Sequence, residues 1–497
     1  MAAALSRPAP LGAVARTRVL ARAWEPVDAA SLVAFRFLLG ALVAASAIRQ
    51  WAKGAIHDQF VVPTHFFPYD GLSFVRPLPG DGMYAVYIVL ALAGAGLALG
   101  VRTRVSGAIA FLAFTYAHAC DVTNYLNHYY LVSLLLGIAT VLPLGAGHAK
   151  LPRWMLWLVR FQIGLVYFYG GVGKLQADWL VRAMPLRIWL AGAGDFPVLG
   201  PLLRVDETAW IMSWLGAAFD LSIPFLLLVK RTRPFAYGAV IVFHLVTSRL
   251  FQIGMFPWVM IALTLVFFEP SWPRRFVRLR GGVAQVPRWS LPLAAAYAAF
   301  QFLYPLRSHL YPGNVLWTEE GYRFSWRVML IEKAGLAELT AHDPVSGAKR
   351  EVRARDYLTP LQVKMMSTQP DLVASFARTI ADEAERRGER RPRVTADVFV
   401  TLNGRPSARL LDPEVDLAAE PPRILPAPSA PSPTTAGDED VVEAKVVSPA
   451  ETREGAQPAK TPAAGCSSRG RHERCAVEHG GRRRPRRRDS LPPPNDG

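Results

Sequence analysis

Long apolar stretches recur from residue 31 to residue 305 and are separated by short charged segments. Uninterrupted runs of this kind, with few charges, are typical of membrane-spanning helices. A large buried helical core is the alternative, but so many runs in succession favour a polytopic α-helical membrane protein. The pattern predicts nine helices, at residues 30–48, 82–100, 105–120, 129–146, 154–173, 208–229, 235–250, 254–269 and 290–305.

Beyond the last apolar run the pattern changes to that of a small mixed α/β domain, which we place at residues 306–420. It predicts, in order, a half-buried strand at 321–333, two short strands around a Pro/Gly turn within 337–354, a helix at 370–388 and a hairpin at 396–413. Asp371 is the candidate cap of that helix, Gly388 lies near its end, and the hairpin turns at Asn403-Gly404.

The two ends of the chain differ from the rest. Residues 1–29 form a basic N-terminal arm, and residues 421–497 are rich in Pro, Ala and Ser and end in an arginine cluster. Such a composition predicts a disordered tail with a basic end. The chain has only three cysteines, which excludes a disulfide scaffold and leaves no zinc-type spacing.

The net charge of +17 does not indicate nucleic acid, because the positive charge is distributed over loops. Threading the helices places the basic segments on one face, which the positive-inside rule makes cytosolic. The opposite face receives loops 49–81, 121–128 and 174–207 and everything after residue 305. We expect an integral membrane protein that contacts lipid, with a cytosolic N-terminus and an extracytoplasmic C-terminal domain. The Ala-, Arg- and Gly-rich composition favours a bacterial inner membrane, with the endoplasmic reticulum as the eukaryotic equivalent.

Lys174 is the first candidate for chemistry, because it directly follows an apolar run that contains Gly170, Gly171 and Gly173. The glycines are expected to leave the backbone beside the amine open to a flat ligand. A neutral amine in such a cleft can act as a general base. The alternative is a lysine that extends from the helix end to the lipid headgroups.

Several stretches, taken together, resemble the vitamin K-dependent gamma-glutamyl carboxylase family, whose membrane part is the HTTM domain. The resemblance covers roughly residues 30–420. It is carried by FRFLLG (35–40), RPLPGDGMYAVY (76–87), NHYYLVSLLLG (127–137), GGVGKLQADW (170–179), FHLVTSRLFQIGMFPWVM (243–260), EPSWPRR (269–275), GYRFSWRVML (321–330) and VFVTLNGRPSARLLDPEVD (398–416).

The resemblance implies a carbon–carbon lyase (carboxylase) that couples two reactions. A reduced vitamin K or menaquinone-type hydroquinone is oxygenated by O2 to its epoxide, and the basic oxygen species formed on the way removes a γ-proton from a peptidyl glutamate. Addition of CO2 then gives γ-carboxyglutamate. The implied partner is a glutamate-containing peptide or protein, and no metal is required. In this scheme Lys174 is the base that starts the oxygenation.

Three further residues are candidates beside Lys174. His128 is expected to donate a hydrogen bond to developing negative charge and Asn127 to orient it, although both can also simply close a helix–helix turn. His244 lies inside an apolar helix and needs a partner there, either a bound quinone or a neighbouring helix.

Two alternatives to the carboxylase remain open. One is a quinone epoxidase-like membrane oxygenase with a different carboxylation substrate or none. The other is a non-enzymatic HTTM protein, such as a transporter or an immunity factor. Asp220 is the only acidic residue well inside a predicted helix, which counts against an ion-coupled transporter.

Overall fold

The computed structural model describes residues 11–145, 147–251 and 253–428. Most of this part of the chain is helical, and short strands occur near the N-terminus, at residues 150–152 and in the C-terminal domain. The helices are α1 Leu11–Trp24, α2 Ala30–Ala52, α3 Gly82–Leu99, α4 Thr103–Ala119, α5 Asn127–Val141, α6 Arg153–Lys174, α7 Ala177–Leu180, α8 Leu186–Gly192, α9 Gly200–Leu203, α10 Asp206–Leu228, α11 Arg233–Leu250, α12 Phe256–Thr264, α13 Ser290–Leu303, α14 Val315–Thr318, α15 Pro360–Met366 and α16 Pro370–Arg386. The strands are β1 Pro26–Asp28, β2 Lys150–Pro152, β3 Lys333–His342, β4 Lys349–Val352, β5 Arg393–Leu402 and β6 Ala408–Arg409.

Each of the nine predicted apolar runs contains a helix, but their status as membrane spans differs. Among the described residues four helices, α2, α3, α6 and α10, are long and apolar enough to cross a membrane. The other helices in the predicted runs are shorter or less apolar. The count of nine spans is therefore not confirmed, whereas membrane insertion is supported by these four.

The helical region is a layered bundle in which α2 to α5 pack in sequence and α6 packs against α10. The contact between α2 and α3 is unusually close, because a Cβ atom at Gly40 would lie 2.5 Å from the backbone nitrogen of Ala98. Glycine is thus needed at this crossing. The approach buries a continuous apolar core that extends through α6 to α12.

One face of the bundle collects the basic loops predicted to be cytosolic. There β1 pairs antiparallel with β2, so that Val27 lies opposite Leu151. The Asp28 carboxylate accepts a hydrogen bond from Arg274 Nε at 2.8 Å. The N-terminal segment, the loop before α6 and the segment after α12 are therefore held together on that face.

The C-terminal domain covers the other face and contains an antiparallel sheet with strand order β4-β3-β5-β6. Alternate residues of β5 are buried, and they contact the apolar side of α16. The predicted hairpin turn agrees with the structure, since Asn403 and Gly404 both have positive φ angles, 50° and 74°. Such angles favour Asn and Gly.

Three expectations about this domain are wrong in detail: one strand, one helix cap and the C-terminal limit. Residues 321–332 form no strand, and Phe324, Trp326 and Met329 have positive φ angles, because the segment wraps between the domain and the bundle. Asp371 does not cap α16; its carboxylate pairs with Arg323 instead.

The C-terminal limit at residue 420 is also too early. Leu425 donates its backbone N–H to Leu410 and accepts a bond from the Trp317 indole, so the fold extends to this residue. The predicted disordered tail lies outside the described residues from residue 429 onward.

Candidate active site

Lys174 is the last residue of α6, and its amine is buried rather than extended to a membrane surface. The Nζ atom lies 2.7 Å from Asp220 Oδ2 on α10, and the two side chains are 7% and 10% exposed. The amine also donates to the backbone oxygen of Gly170 at 3.1 Å and lies 5.0 Å from the centre of the Trp179 ring. The burial disagrees with the alternative of a lysine that reaches the lipid headgroups.

The three glycines before Lys174 have different surroundings. Gly170 lines a cavity beside the amine. A Cβ atom at Gly171 would lie 2.8 Å from the backbone nitrogen of Leu221, and one at Gly173 would lie 2.9 Å from a methyl carbon of Leu330. The expectation of an open backbone is therefore wrong at Gly171, where the glycine lets α6 approach α10, and at Gly173, which packs against the C-terminal domain.

The cavity beside Lys174 has a volume of about 80 Å³ and is lined mainly by aromatic and aliphatic side chains. We call it the lysine cavity. Its polar side chains are few, and they include the Lys174–Asp220 pair and His244. A mostly apolar cavity with a few convergent polar groups is typical of a small-molecule site.

His244 is 1% exposed, and its two ring nitrogens have different surroundings. Nε2 lies 3.1 Å from the hydroxyl of Tyr167, which also lies 3.4 Å from Thr264 Oγ1. Nδ1 has no hydrogen-bond partner among the described residues. Because a buried polar atom without a partner is costly, Nδ1 is the atom of this ring available to a ligand.

A second, larger cavity of about 480 Å³ contains Asn127 and His128 in its wall. We call it the junction cavity, because it lies between the bundle and the C-terminal domain. Both polar atoms of the Asn127 side chain form a hydrogen bond: its Nδ2 donates to the Arg327 backbone oxygen at 2.8 Å, and its Oδ1 accepts from Tyr125 at 3.0 Å. Asn127 therefore fixes the segment that carries Arg327.

The two cavities adjoin each other at Phe256, at the start of α12. The Phe256 ring lies 5.8 Å from the His128 ring on one side and 5.6 Å from the His244 ring on the other. Val328 and Met329 also line both cavities. The structure thus brings Lys174, His244 and His128 to one place, with a single aromatic ring between the two histidines.

Some charged side chains of the junction cavity form ion pairs, whereas others have no partner of opposite charge in the described ranges. Lys333 pairs with Glu319 at 2.8 Å and Arg323 with Asp371 at 2.6 Å. Arg327 has no carboxylate within ion-pair distance in the described ranges, and its Nη2 donates only to Ser308 Oγ at 3.1 Å. Lys364, which also lines the cavity, has no ion-pair partner in the described ranges either. Arg327 and Lys364 are therefore the cations available to a ligand carboxylate, and of the two only Arg327 carries a planar guanidinium.

Asp178 connects the loop after Lys174 to the C-terminal domain. Its carboxylate accepts bonds from Arg405 at 2.6 and 2.8 Å and from Asn403 at 2.9 Å. Burial by itself raises the pKa of the Asp178 carboxyl, but these bonds and the charges of Arg405 and Arg182 outweigh it and hold the pKa below its usual value. The hairpin turn is thereby anchored four residues from Lys174.

Sequence reasoning missed Asp220 and Arg327 as members of the site. Asp220 carried a signal, since an acidic residue deep in an apolar helix needs a partner of opposite charge. Arg327 carried none, because it was assigned to a strand that does not form.

Comparison with known families agrees with this architecture. The family model of the HTTM domain matches residues 24–272, and that of the vitamin K-dependent gamma-carboxylase lumenal domain matches residues 287–426. No solved structure matches the chain. The two matches cover, in order, the helical bundle and the domain above it, and the chain therefore belongs to the vitamin K-dependent gamma-carboxylase family.

Proposed function

We propose that the protein carboxylates peptidyl glutamate with a reduced naphthoquinone, O2 and CO2 as reactants. The observation that supports this most directly is the adjoining of two cavities of different chemistry. The lysine cavity is apolar and holds a buried amine, whereas the junction cavity contains an arginine without a carboxylate partner. A quinone and a glutamyl side chain would thereby meet at one partition, Phe256.

The lysine cavity fits a hydroquinone in its chemistry. Its aromatic walls suit a flat ring, and Lys174 Nζ and His244 Nδ1 offer two polar contacts. Its volume is below the roughly 300–1,000 Å³ of typical ligand sites. Three of its lining residues, Met212, Met260 and Met329, are methionines, whose unbranched side chains adapt readily, so the cavity can widen without backbone movement.

Lys174 and Asp220 act in this proposal as one proton-holding unit. As long as the amine is an ammonium it cannot accept a proton. Asp220 Oδ2, at 2.7 Å, can take one proton from Nζ and leave a neutral amine beside a neutral carboxyl. The pair then offers a base with no change in buried charge, and Nζ accepts a proton from the bound hydroxyl. When bound, the hydroquinone supplies, with O2, the strong base that removes the γ-proton of glutamate.

The junction cavity holds the second substrate. Arg327 binds the γ-carboxylate of the glutamyl side chain, because a planar guanidinium suits a carboxylate and this one is otherwise unneutralised. His128 lines this cavity beside Phe256 and donates a hydrogen bond to the charge that develops as CO2 adds. Asn127 acts indirectly by holding the backbone of Arg327.

The proposal also covers the orientation of the protein in the membrane. Each of the three loops predicted to be extracytoplasmic forms a hydrogen bond with the C-terminal domain. The pairs, with the loop residue first, are His65–Gln362, Asn127–Arg327 and Asp178–Arg405. Loops and domain therefore share one side of the bundle. We assign that side to the periplasm or lumen, with the basic face in the cytosol.

The test is incubation of the purified protein with reduced quinone, O2, labelled bicarbonate and a glutamate peptide, with epoxide and fixed label measured separately. Wild-type protein should give both products, and Lys174→Ala should give neither. The control is Arg274→Met, which breaks an ion pair on the opposite face and should give both. Epoxide without fixed label would indicate an oxygenase that lacks the carboxylation half, and normal turnover by Lys174→Ala would refute the proposed base.

A further inference from the structure

A third cavity lies behind His128, inside the bundle. Its volume is about 20 Å³, and helices α2, α4, α5 and α12 contribute to its wall. Apart from His128, Tyr129 and Ser46, the lining side chains are apolar, among them Val43, Val132 and Val259. Voids of this size are few in close-packed interiors. A cavity needs about 10–15 Å³ to hold a single small molecule, and cavities with apolar walls stay dry and accept apolar molecules.

The position of this cavity distinguishes between the two gases that the proposed reaction consumes. The cavity shares His128 and Tyr129 with the junction cavity, and it shares no lining residue with the lysine cavity. O2 is needed where the quinone binds, whereas CO2 is needed where the γ-carbon of the glutamyl side chain lies. This cavity adjoins the junction cavity, which is the place where CO2 is needed.

Resting on the proposed function, we propose that this cavity is a binding site for carbon dioxide, which waits there beside His128 until it adds to the glutamyl γ-carbon. CO2 is linear and uncharged, so the apolar wall accepts it without loss of hydrogen bonds to water. Its oxygens can accept a bond from the His128 ring at the boundary of the two cavities. The Tyr129 ring, which is stacked on the His118 ring with 3.9 Å between the centroids, forms the rest of the boundary that the two cavities share.

The first test reduces the cavity by one methylene with Val132→Ile. The apparent KM for CO2 should rise about three- to tenfold, a cost of up to roughly 1.4 kcal/mol, while carboxylation at saturating CO2, the epoxidation rate and the KM for O2 stay unchanged. Val159→Ile is the matched control, because Val159 on α6 is also buried and lines none of the three cavities. If Val132→Ile does not fold, Val43→Ile fills the same space from α2.

The second test needs no turnover. Crystals under xenon pressure should show a xenon atom between Val43, Val132 and Val259 in the wild type and in Val159→Ile, and none in Val132→Ile. A wild-type cavity without xenon overturns the inference, and so does a rise in the KM for O2 or an unchanged KM for CO2 in Val132→Ile. If the wild-type protein fixes no label, the proposed function is refuted instead. Failure of the carbon dioxide site and failure of the proposed function are therefore distinguishable.

Discussion

Lys174 and Asp220 form an ion pair that joins the end of α6 to the interior of α10, with 2.7 Å between Nζ and Oδ2. Neither side chain is more than 10% exposed. Each charge therefore depends on the other for compensation, and removing one leaves the other buried alone. This relationship couples the stability of the bundle to the residue proposed as the base.

Replacing Lys174 with Ala should lower the free energy of unfolding by about 3–5 kcal/mol, because Asp220 is left as an unpaired buried carboxylate. The double variant Lys174→Met, Asp220→Leu should recover most of that stability and still lack epoxidation. Lys174→Arg keeps the charge but should also be inactive, since a guanidinium does not release its proton. Thermal unfolding in detergent and quinone epoxidation, measured on the same preparations, check both parts. Epoxidation by the double variant would contradict the proposed base.

Gly171→Ala should move α6 away from α10, because the added methyl would lie 2.8 Å from the Leu221 backbone nitrogen. Overpacking of this kind costs about 1–3 kcal/mol. Since Asp220 precedes Leu221, the geometry of the ion pair and the rate of epoxidation should suffer as well. Gly238→Ala on α11 is the matched control, because no atom lies within 4 Å of its Cβ position. Equal melting temperatures for the two variants would contradict the close approach.

Phe256→Ala should join the lysine and junction cavities by removing the ring between His128 and His244. Water from the junction cavity can then enter the lysine cavity and protonate the basic oxygen species before it reaches glutamate, so more epoxide should form per γ-carboxyglutamate. Phe251→Ala is the control, because Phe251 lines the lysine cavity only. It should lower epoxidation and carboxylation together and leave their ratio unchanged. The ratio of epoxide to fixed label is the measurement, and an unchanged ratio in Phe256→Ala would argue against a partition.

Arg405→Met should loosen the C-terminal domain from the loop after Lys174, because it leaves the Asp178 carboxylate, 5% exposed, without its main partner. Breaking a buried pair costs about 3–5 kcal/mol. Hydrogen exchange should increase in β5 and β6, and carboxylation should fall more than epoxidation. Arg409→Met on the same hairpin is the control, since its pair with Asp397 is largely exposed.

The same carboxylate gives a pH dependence. Because the folded pKa of Asp178 is below its usual value, its stabilising effect is complete above the unfolded pKa of about 3.9 and is lost as the pH falls through the folded pKa. Exchange protection of the hairpin should therefore decrease below about pH 4 in the wild type. Arg405→Met should lack this decrease, because the pKa of its Asp178 is no longer lowered by the Arg405 bonds and charge.

His65 gives a second pH dependence, at milder acidity. Burial, with a smaller contribution from the Arg76 charge, lowers the pKa of His65 to about 4. The unfolded chain takes up this proton near pH 6.5 and the folded chain only near 4, so stability should decrease by on the order of 1–3 kcal/mol over that interval. His65→Phe should remove this part of the decrease. Unfolding free energies at pH 7 and pH 5 check it, and identical pH slopes in the two proteins would contradict it.

The sequence by itself determined the local structure where one kind of force dominates. Apolar runs located the helices, because a helix satisfies its own backbone and needs only an apolar surface. Asn403-Gly404 marked a turn, because these residues tolerate positive φ angles. The glycine-rich segment also singled out Lys174 as the residue to examine. These inferences depend on neighbours within a few positions in the chain.

Only the tertiary structure decided the features that depend on residues far apart in the chain. The strand predicted at residues 321–333 does not form, because Trp326 is fully buried and stacks on Tyr130 of the bundle at 4.8 Å. The partner of Lys174 is 46 positions away, and its contact depends on how closely two helices approach at Gly171. Long-range packing and charge compensation of this kind are set by the whole fold. A local pattern can therefore name a reactive residue but cannot supply the surroundings that give it a role.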